Sequence, residues 1–189
     1  MSDPDAPPLD TEALISALER HRVVYVAVGG LAAQWQGAQR ATKDMDVCPA
    51  WDRENLDRLA QALRELGARL SGDDAPPEGL AVPIDGVMLS RMEIGTWRTI
   101  AGDLDVLLGI PRESRWDLAR YEYLRENAVA IEIGETTVLA ASLEDITRSK
   151  EIANRTPDQE ALPELRELLE AREREERERD EELEIDLDR

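Results

Sequence analysis

The first third of the chain alternates between helical and extended patterns of apolar residues. Apolar residues recur at helical spacing over residues 10–20, and Asp10 precedes them as an N-cap, so a helix is predicted there. A run rich in β-branched residues follows at 23–28, and its composition is typical of a buried strand. This run ends abruptly at Gly29 and Gly30, where we expect a tight turn into the next element.

The segments after this turn continue the alternation. Helix-forming residues predict a helix over 31–39, which Gly37 interrupts, and alternating residues predict a second strand over 40–48. An amphipathic helix is predicted between the N-capping Asp52 and a stop at Gly67. Strands and helices therefore alternate in this part of the chain.

The second half of the chain is richer in predicted strands. Gly, Pro and Asp residues predict a loop over 71–79, and a mixture of helix and loop is expected over 115–126. Helices are predicted over 142–155 and 156–169. Strands are predicted at 81–93, 96–100, 103–108 and in the two arms of a hairpin, 129–133 and 136–139. This order of elements predicts an α+β domain with a mixed β-sheet and flanking helices.

Charge is distributed unevenly along the chain. Of the formal net charge of −19, residues 160–189 carry −8, from 14 acidic and 6 basic residues. Ala171 is the only apolar residue between Glu170 and Glu182, so this stretch cannot pack a core. We expect a solvated helix that frays into disorder, with a partner-binding arm as the alternative. The expected parts are a disordered N-terminus at 1–9, a domain at 10–169 with C-terminal helices at 142–169, and a charged tail at 170–189.

Composition narrows the class of protein. The single cysteine, Cys48, excludes an internal disulfide and favours a reducing, cytoplasmic location. No apolar run approaches the length of a membrane span, and the N-terminus is acidic where a signal peptide would be basic, so no membrane association is expected. The excess of 42 acidic over 23 basic residues disfavours a simple nucleic-acid surface, because phosphate contacts need local Lys or Arg.

Candidate chemistry begins at the Gly29-Gly30 pair. Glycines between a strand and a helix let a ligand approach the backbone closely. The free N–H groups at the start of the following helix also suit a phosphate. A simple turn is the alternative interpretation of the same two residues.

Two aspartate pairs occupy predicted strands. Residues two apart on a strand face the same side, so Asp44 and Asp46 lie together, and Asp103 and Asp105 repeat the pattern. Their charges repel unless a cation lies between them, and carboxylate oxygens suit Mg²⁺ or Mn²⁺. With Asp105 as the third carboxylate, the set suits two metal ions and displacement at phosphorus. Solvated acids on an edge strand are the alternative.

Around these residues the chain resembles the nucleotidyltransferase superfamily related to DNA polymerase beta. The resemblance lies in a Gly-Gly-x-Ala motif beginning at Gly29 and an Arg-x-Thr-x-Asp-x-Asp motif beginning at Arg40. Both motifs are similar to the corresponding motifs of small bacterial nucleotidyltransferase toxins of the abortive-infection type. A looser similarity extends to a C-terminal pattern, and the whole covers roughly residues 20–170. That pattern comprises Ser142, Leu143, Glu144, Asp145, Ile146, Lys150, Arg155 and Asp158.

The resemblance implies the nucleotidyltransferase fold and a catalytic, metal-binding role for three acids. Asp44 and Asp46 would be the metal-binding pair. Asp105 would be the third acid, placed to help activate an acceptor hydroxyl. The implied cofactor is Mg²⁺ or Mn²⁺, and the implied substrate is a nucleoside triphosphate (NTP).

The resemblance also implies a set of nucleotide-binding residues. Gly29 and Gly30 would cradle the phosphates, Lys150 would point at the triphosphate, and Asp158 would orient active-site groups. Arg40 would either touch phosphate or brace the turn. One departure from the superfamily is Leu31, because many members have Ser beside the second glycine, whose hydroxyl binds phosphate. Here that contact has to come from backbone N–H groups or be absent.

Two lysines stand out among the basic residues, because the other 21 are all arginine. Lys43 faces away from the Asp44 and Asp46 side of the predicted strand. Lys150 is therefore the catalytic candidate, because the compact charge of a lysine ammonium group is not interchangeable with the planar guanidinium of arginine. Coincidence is the alternative.

The remaining distinctive side chains are expected to be structural. His21 lies at a junction between a helix and a strand, and Cys48 is expected in the core. Four tryptophans are expected to fill the core as well, with Trp35 or Trp97 stacking on a base as the alternative. They are Trp35, Trp51, Trp97 and Trp116.

The function that the resemblance implies is transfer of a nucleoside monophosphate from an NTP to an acceptor hydroxyl. In the toxin branch the acceptor would be a tRNA 3′ end or a protein side chain, and a cognate antitoxin would be expected. The net charge opposes tRNA binding unless arginines assemble a basic face. Candidates are Arg91, Arg98, Arg112, Arg115 and Arg120. The alternatives are a catalytically inactive binding module of the same fold and an antibiotic-modifying nucleotidyltransferase.

Overall fold

The chain forms one large mixed sheet and a separate hairpin, with helices packed around them. The structure, a computed structural model, describes residues 7–71 and 82–187. Its helices are α1 (Thr11–Arg20), α2 (Gly29–Gln34), α3 (Arg53–Glu65), α4 (Gly86–Leu89), α5 (Tyr121–Glu126), α6 (Leu143–Ala153) and α7 (Thr156–Leu187). Its strands are β1 (Tyr25–Val28), β2 (Asp44–Pro49), β3 (Arg69–Leu70), β4 (Ile94–Thr99), β5 (Gly102–Leu107), β6 (Ile110–Ser114), β7 (Asp117–Ala119), β8 (Val129–Ile133) and β9 (Thr136–Ala140). The prediction of an α+β fold with a mixed sheet and flanking helices is confirmed.

Strands β1 and β2 lie near the middle of the large sheet. Neighbouring strands follow the order β3-β4-β5-β2-β1-β9-β8. Strand β2 runs parallel to β5 and antiparallel to β1, while β1 runs parallel to β9. All four residues of β1 are buried, as expected for a strand covered on both faces. The C-terminal end of β1 lies beside the N-terminal end of β2, where Val28 pairs with Asp46.

The core is built mainly from aliphatic side chains, since the sequence contains no phenylalanine. Met45, Val47 and Leu104 are fully buried on β2 and β5. Trp97 is 1% exposed on β4, and Cys48 is fully buried. The core prediction is confirmed for both of these residues.

Asn55, in the first turn of α3, joins that helix to the central strands. Its side chain is fully buried, donates to the carbonyls of Val24 (2.8 Å) and Ala50 (2.9 Å), and accepts from the amide of Val24 (2.8 Å). Buried backbone groups need such partners. Val24 precedes β1 and Ala50 follows β2, so this side chain completes the hydrogen bonding at the end of the sheet opposite Asp46.

Helix α7 continues past the predicted end of the domain. Leu165 is 1% exposed, and Arg172 donates from Nη2 to the backbone carbonyl of Gln36 at 3.0 Å. Contacts with the rest of the chain therefore reach Arg172, while the side chains from 173 to 180 are exposed. The division into a domain and a charged tail stays a prediction.

The strand predicted over 81–93 is wrong in the part that the structure describes. Residues Gly86–Leu89 form α4 instead. Asp85 caps this turn by accepting from the amide of Met88 at 2.8 Å, and the first amide of α4 donates to Asp57 of α3. This packing against α3 overrides the apolar pattern of the segment.

Two other segments also differ from their predictions. Strand β2 begins at Asp44, so residues 40–43 form a loop before it. Hairpin β6–β7 was not predicted, because its strands are short and half-exposed. Residues 1–6 of the predicted disordered terminus and 72–79 of the predicted loop lie outside the described residues.

Within the described ranges, no helix combines the length and apolarity required to cross a bilayer.

We predict that Asn55→Ala lowers the free energy of unfolding by about 3 kcal/mol, because it removes four side-chain hydrogen bonds, including the one to the carbonyl of the buried Ala50. Gln61→Ala is the matched control on the same helix, since Gln61 is exposed and makes one 3.4 Å hydrogen bond. Urea denaturation of both variants measures the difference. Equal, small losses would show that Asn55 does not hold α3 to the strands.

Candidate active site

Four aspartates lie on one face of the sheet where β2 and β5 run side by side. Asp44 pairs with Asp103, and Asp46 pairs with Asp105, in the parallel register. Paired residues on neighbouring strands project from the same face, so the four carboxylates share one side of the sheet. The structure thus brings the predicted acids Asp44, Asp46 and Asp105 together on adjacent strands.

Asp103 and Asp105 differ in how their charges are compensated. Asp103 Oδ1 accepts from Arg98 Nε at 3.4 Å. Asp105 accepts a hydrogen bond from the side chain of Thr96, but its Oδ1 is buried and has no partner among the described residues. A buried oxygen without a partner is costly unless a ligand binds it. This distinguishes Asp105 from Asp103 as a candidate metal ligand.

Burial and mutual repulsion make the carboxylate cluster difficult to ionise. Burial, followed by the charges of Asp44 and Asp105, raises the pKa of Asp46 to about 7. Burial, opposed by the Thr96 hydrogen bond and reinforced by the charges of Asp44 and Asp103, raises the pKa of Asp105 to about 6. Carboxylates in such surroundings favour a bound cation over solvent.

Gly29 is required by the close approach of Asp46. A Cβ atom at Gly29 would lie 2.0 Å from Asp46 Oδ2, and the backbone there has a positive φ of 69°. Only glycine combines this backbone conformation with the space for the carboxylate. The glycine that the sequence analysis assigned to phosphate thus has a structural role toward Asp46 as well.

Thr42 connects the second glycine to the first acid. A Cβ at Gly30 would lie 3.1 Å from Thr42 Oγ1, which is tighter than ordinary contact. The same hydroxyl donates to Asp44 Oδ1 at 2.7 Å. Thr42 therefore orients Asp44, and the sequence analysis missed this role, although Thr42 belongs to the motif that begins at Arg40.

Lys150 lies on α6 and holds Asp158 in the first turn of α7. Lys150 Nζ donates to Asp158 Oδ1 at 3.2 Å, and Asp158 is 1% exposed. The side chain of Arg155 donates to Asp158 Oδ2 at 2.8 Å. Burial opposes ionisation of Asp158, but these partners outweigh it and hold its pKa below the usual range. Asp158 thus fixes two cations at the end of α6.

These two cations lie close enough to the carboxylates to change their pKa values. The positive charges of Lys150 and Arg155 lower the pKa of Asp46, against the effect of its burial. Arg155 acts in the same direction on Asp105. The site therefore pairs an anionic strand face with a cationic helix end, and Arg155 joins the candidates for binding phosphate.

Arg40 is directed toward α7. Its Nη2 donates to Glu160 Oε2 at 2.7 Å, and its side chain is 44% exposed. Of the two roles considered for Arg40, this contact corresponds to bracing the turn. The residue that precedes Arg40, Gln39, is also held to α7, because its amide donates to Glu164.

The three carboxylates fit a divalent cation in their chemistry, and they share one face of two adjacent strands. They are oxygen donors of the kind that Mg²⁺ and Mn²⁺ prefer, and one of them contributes the unpartnered Asp105 Oδ1. In residues 7–71 and 82–187, no group of three or more acidic, histidine or cysteine side chains lies close enough together to hold a metal ion. The strands thus position the carboxylates, and side-chain rotation would have to complete the coordination.

The overall fold is similar to that of solved nucleotidyltransferases. A lincosamide antibiotic adenylyltransferase, LnuA, with lincomycin bound, superposes with a TM-score of 0.55 at 15% identity, covering 85% of this chain and 99% of that chain. The solution structure of the antibiotic-resistance factor ANT(2'')-Ia superposes with a TM-score of 0.51 at 17% identity, covering 92% of each chain. Its crystal structure with adenylyl-2''-tobramycin gives a TM-score of 0.54 at 15% identity, covering 86% of this chain and 88% of that chain.

No protein-family model and no curated protein sequence matches this chain. The similarity to solved structures, at 15–17% identity, establishes the fold alone. The chain therefore has the nucleotidyltransferase fold that the resemblance implied. The toxin branch within that superfamily stays a prediction.

We predict that Gly29→Ala costs more stability than Gly134→Ala. Both glycines have a positive φ, 69° and 60°, but a Cβ at Gly134 meets nothing within 4 Å. Backbone strain costs about 1 kcal/mol in both variants, and only Gly29→Ala also displaces the Asp46 carboxylate. Urea unfolding measures the cost. Equal losses would contradict the packing of Asp46 against Gly29.

We also predict that Asp46→Asn stabilises the protein at pH 8 in the presence of EDTA, by about 1 kcal/mol, because it removes one of the crowded charges. Added Mg²⁺ should raise the melting temperature of the unsubstituted protein more than that of the variant. Thermal unfolding with and without Mg²⁺ measures both effects. Asp103→Asn is the control, since Asp103 is paired with Arg98 and removing its charge should stabilise the protein less than removing that of Asp46. An Asp46→Asn variant that is less stable in EDTA would contradict the crowding.

Proposed function

We propose that this protein is a divalent-cation-dependent nucleotidyltransferase, which moves a nucleoside monophosphate from an NTP to an acceptor hydroxyl and releases pyrophosphate. The observation that carries the proposal is the pairing of Asp46 with Asp105 on parallel strands, beside Asp44 and the Gly29 turn. The cationic end of α6 adds a counterpart for phosphate charge. The nucleotidyltransferase fold is consistent with this chemistry.

In this proposal Asp44, Asp46 and Asp105 hold the divalent cations. When bound, such cations lower the pKa of an attacking hydroxyl and stabilise the charge on a leaving pyrophosphate. Asp105 is placed to accept the proton of the acceptor hydroxyl. The acceptor oxygen forms a bond to the α-phosphorus as the bond from that phosphorus to the pyrophosphate oxygen breaks.

Lys150 binds the triphosphate in the same scheme. Its side chain is mostly buried, with 17% exposed, and Asp158 pairs with its ammonium group at 3.2 Å. A fixed cation neutralises charge on the leaving phosphates without reorganising during the reaction. The backbone N–H groups at Gly29 and Gly30 would supply further donors to the phosphates.

A small-molecule hydroxyl is the acceptor that we favour over a tRNA 3′ end. Two arginines of the basic face that tRNA would need are already paired, Arg98 with Asp103 and Arg112 with Asp117. The similar solved structures include adenylyltransferases that act on antibiotics, and the match covers 99% of one of those chains. A tRNA acceptor, a protein acceptor, an antitoxin partner, a cytoplasmic location and an inactive binding module stay predictions from sequence.

The proposal is tested by incubating the protein with each α-³²P-labelled NTP and MgCl₂, with total tRNA, lincomycin or tobramycin as acceptor. We expect label transfer that EDTA prevents. Asp44→Asn and Asp46→Asn should each lower the rate by at least about a hundredfold, since metal binding depends on both acids. Lys150→Met should lower it about tenfold or more.

Lys43→Met is the matched control for Lys150→Met, because it removes the chain's other lysine charge and Lys43 is exposed. It should retain the normal rate. Nucleotide binding without transfer to any acceptor would support the inactive binding module. Absence of both binding and transfer, or transfer that survives both Asp substitutions, would overturn the proposed function.

A further inference from the structure

Trp116 is an exposed aromatic side chain with no role in the core. It was expected to fill the core, and that prediction is wrong, because 88% of the residue is exposed. It lies at the tip of hairpin β6–β7, between Ser114 and Asp117. Leaving a tryptophan in solvent forgoes the stabilisation that its burial would give, so the fold itself does not explain this residue.

The tip that carries Trp116 is held in a defined conformation. The backbone amides of Trp116 and Asp117 both donate to Ser114 Oγ, at 3.3 and 3.2 Å. Arg112 Nε donates across the hairpin to Asp117 Oδ2 at 2.9 Å, and its guanidinium lies 5.1 Å from the centre of the Tyr123 ring. A ligand that contacts Trp116 would therefore meet a hairpin tip whose backbone is preorganised, which reduces the entropic cost of binding.

The tip also lies beside the cationic end of α6. Arg115 Nη2 donates to the carbonyl of Ala153, the last residue of α6, at 3.5 Å. Lys150 precedes Ala153 by about one helical turn, and Arg155 follows it by two residues. The hairpin tip thus borders the part of the site to which the triphosphate is assigned.

We infer that Trp116 stacks on the nucleobase of the NTP. The inference rests on the proposed function, which places the triphosphate at Lys150 and the strand-end glycines. The nucleoside then extends beyond the α-phosphate, and the exposed indole, on the hairpin tip whose Arg115 contacts the end of α6, offers it a flat apolar face. Stacking on an aromatic ring tolerates every base and is stronger for larger rings. The site therefore accepts several NTPs with a modest preference for purines.

The inference is tested by isothermal titration of the full chain with MgATP, MgUTP and magnesium tripolyphosphate, without acceptor. Trp116→Ala should raise the Kd for MgATP about tenfold and the Kd for MgUTP less, because a base stack is lost. Trp116→Phe should restore most of the affinity for MgATP. The Kd for tripolyphosphate, which has no base, should not change in either variant.

Val129→Ala serves as the control for substitution of an exposed apolar residue, since Val129 is 37% exposed on the edge strand β8. It should leave every Kd unchanged. Normal MgATP binding by Trp116→Ala, or an equal loss of tripolyphosphate binding, would overturn the role of Trp116 while leaving the proposed function intact. An unsubstituted protein that binds neither MgATP nor tripolyphosphate would instead overturn the proposed function.

Discussion

The contact between the Asp46 carboxylate and the backbone of Gly29 is the constraint on which the rest of the site depends. A Cβ at Gly29 would lie 2.0 Å from Asp46 Oδ2, so the carboxylate can take this position only beside a glycine. Asp46 in turn pairs with its parallel neighbour Asp105. The arrangement concentrates negative charge in a partly buried place, which proteins retain at the expense of stability only where a cation or substrate compensates for it.

The second layer of the site compensates for part of that charge. Asp158 is itself buried, yet it is held ionised by Lys150 and Arg155, and in return it fixes these two cations opposite the carboxylates. Helix α7 contributes the buried acid and also binds the loop before β2 through Glu160 and Glu164. The C-terminal helix thereby connects the phosphate-binding side of the site to the loop that leads into the metal-binding strand.

The site could be predicted from sequence where spacing alone determines geometry. Two aspartates separated by one residue share a face of a strand in any register, so the pairs at Asp44 and Asp103 were informative without a structure. Asp105 was chosen over Asp103 from the strand pattern, and the resemblance implied the same residue, but the physical reason, the ion pair of Asp103 with Arg98, needs the tertiary fold. The contact of Arg40 with Glu160 spans 120 residues of sequence, and no local pattern indicates it.

The parts of the fold that were not predicted from the sequence all depend on tertiary contacts. Helix α4 is a single turn fixed by Asp85 and by Asp57 of α3, in a segment whose apolar pattern favours a strand. Hairpin β6–β7 is short and half-exposed, so it lacks the clear alternation of a buried strand. Trp116 was predicted in the core from composition alone, and only the conformation of the hairpin turn shows that its side chain is exposed to solvent.

The most direct test of the proposed metal site is the position of Mn²⁺ in crystals grown with a non-hydrolysable NTP analogue, located by its anomalous scattering. We expect Mn²⁺ within about 2.2 Å of oxygens from Asp44 and Asp46, with Asp105 Oδ1 turned to a metal ion as well. Mn²⁺ absent from this strand face, or bound there while Asp105 stays hydrogen-bonded to Thr96 with its Oδ1 away from any metal, would contradict it.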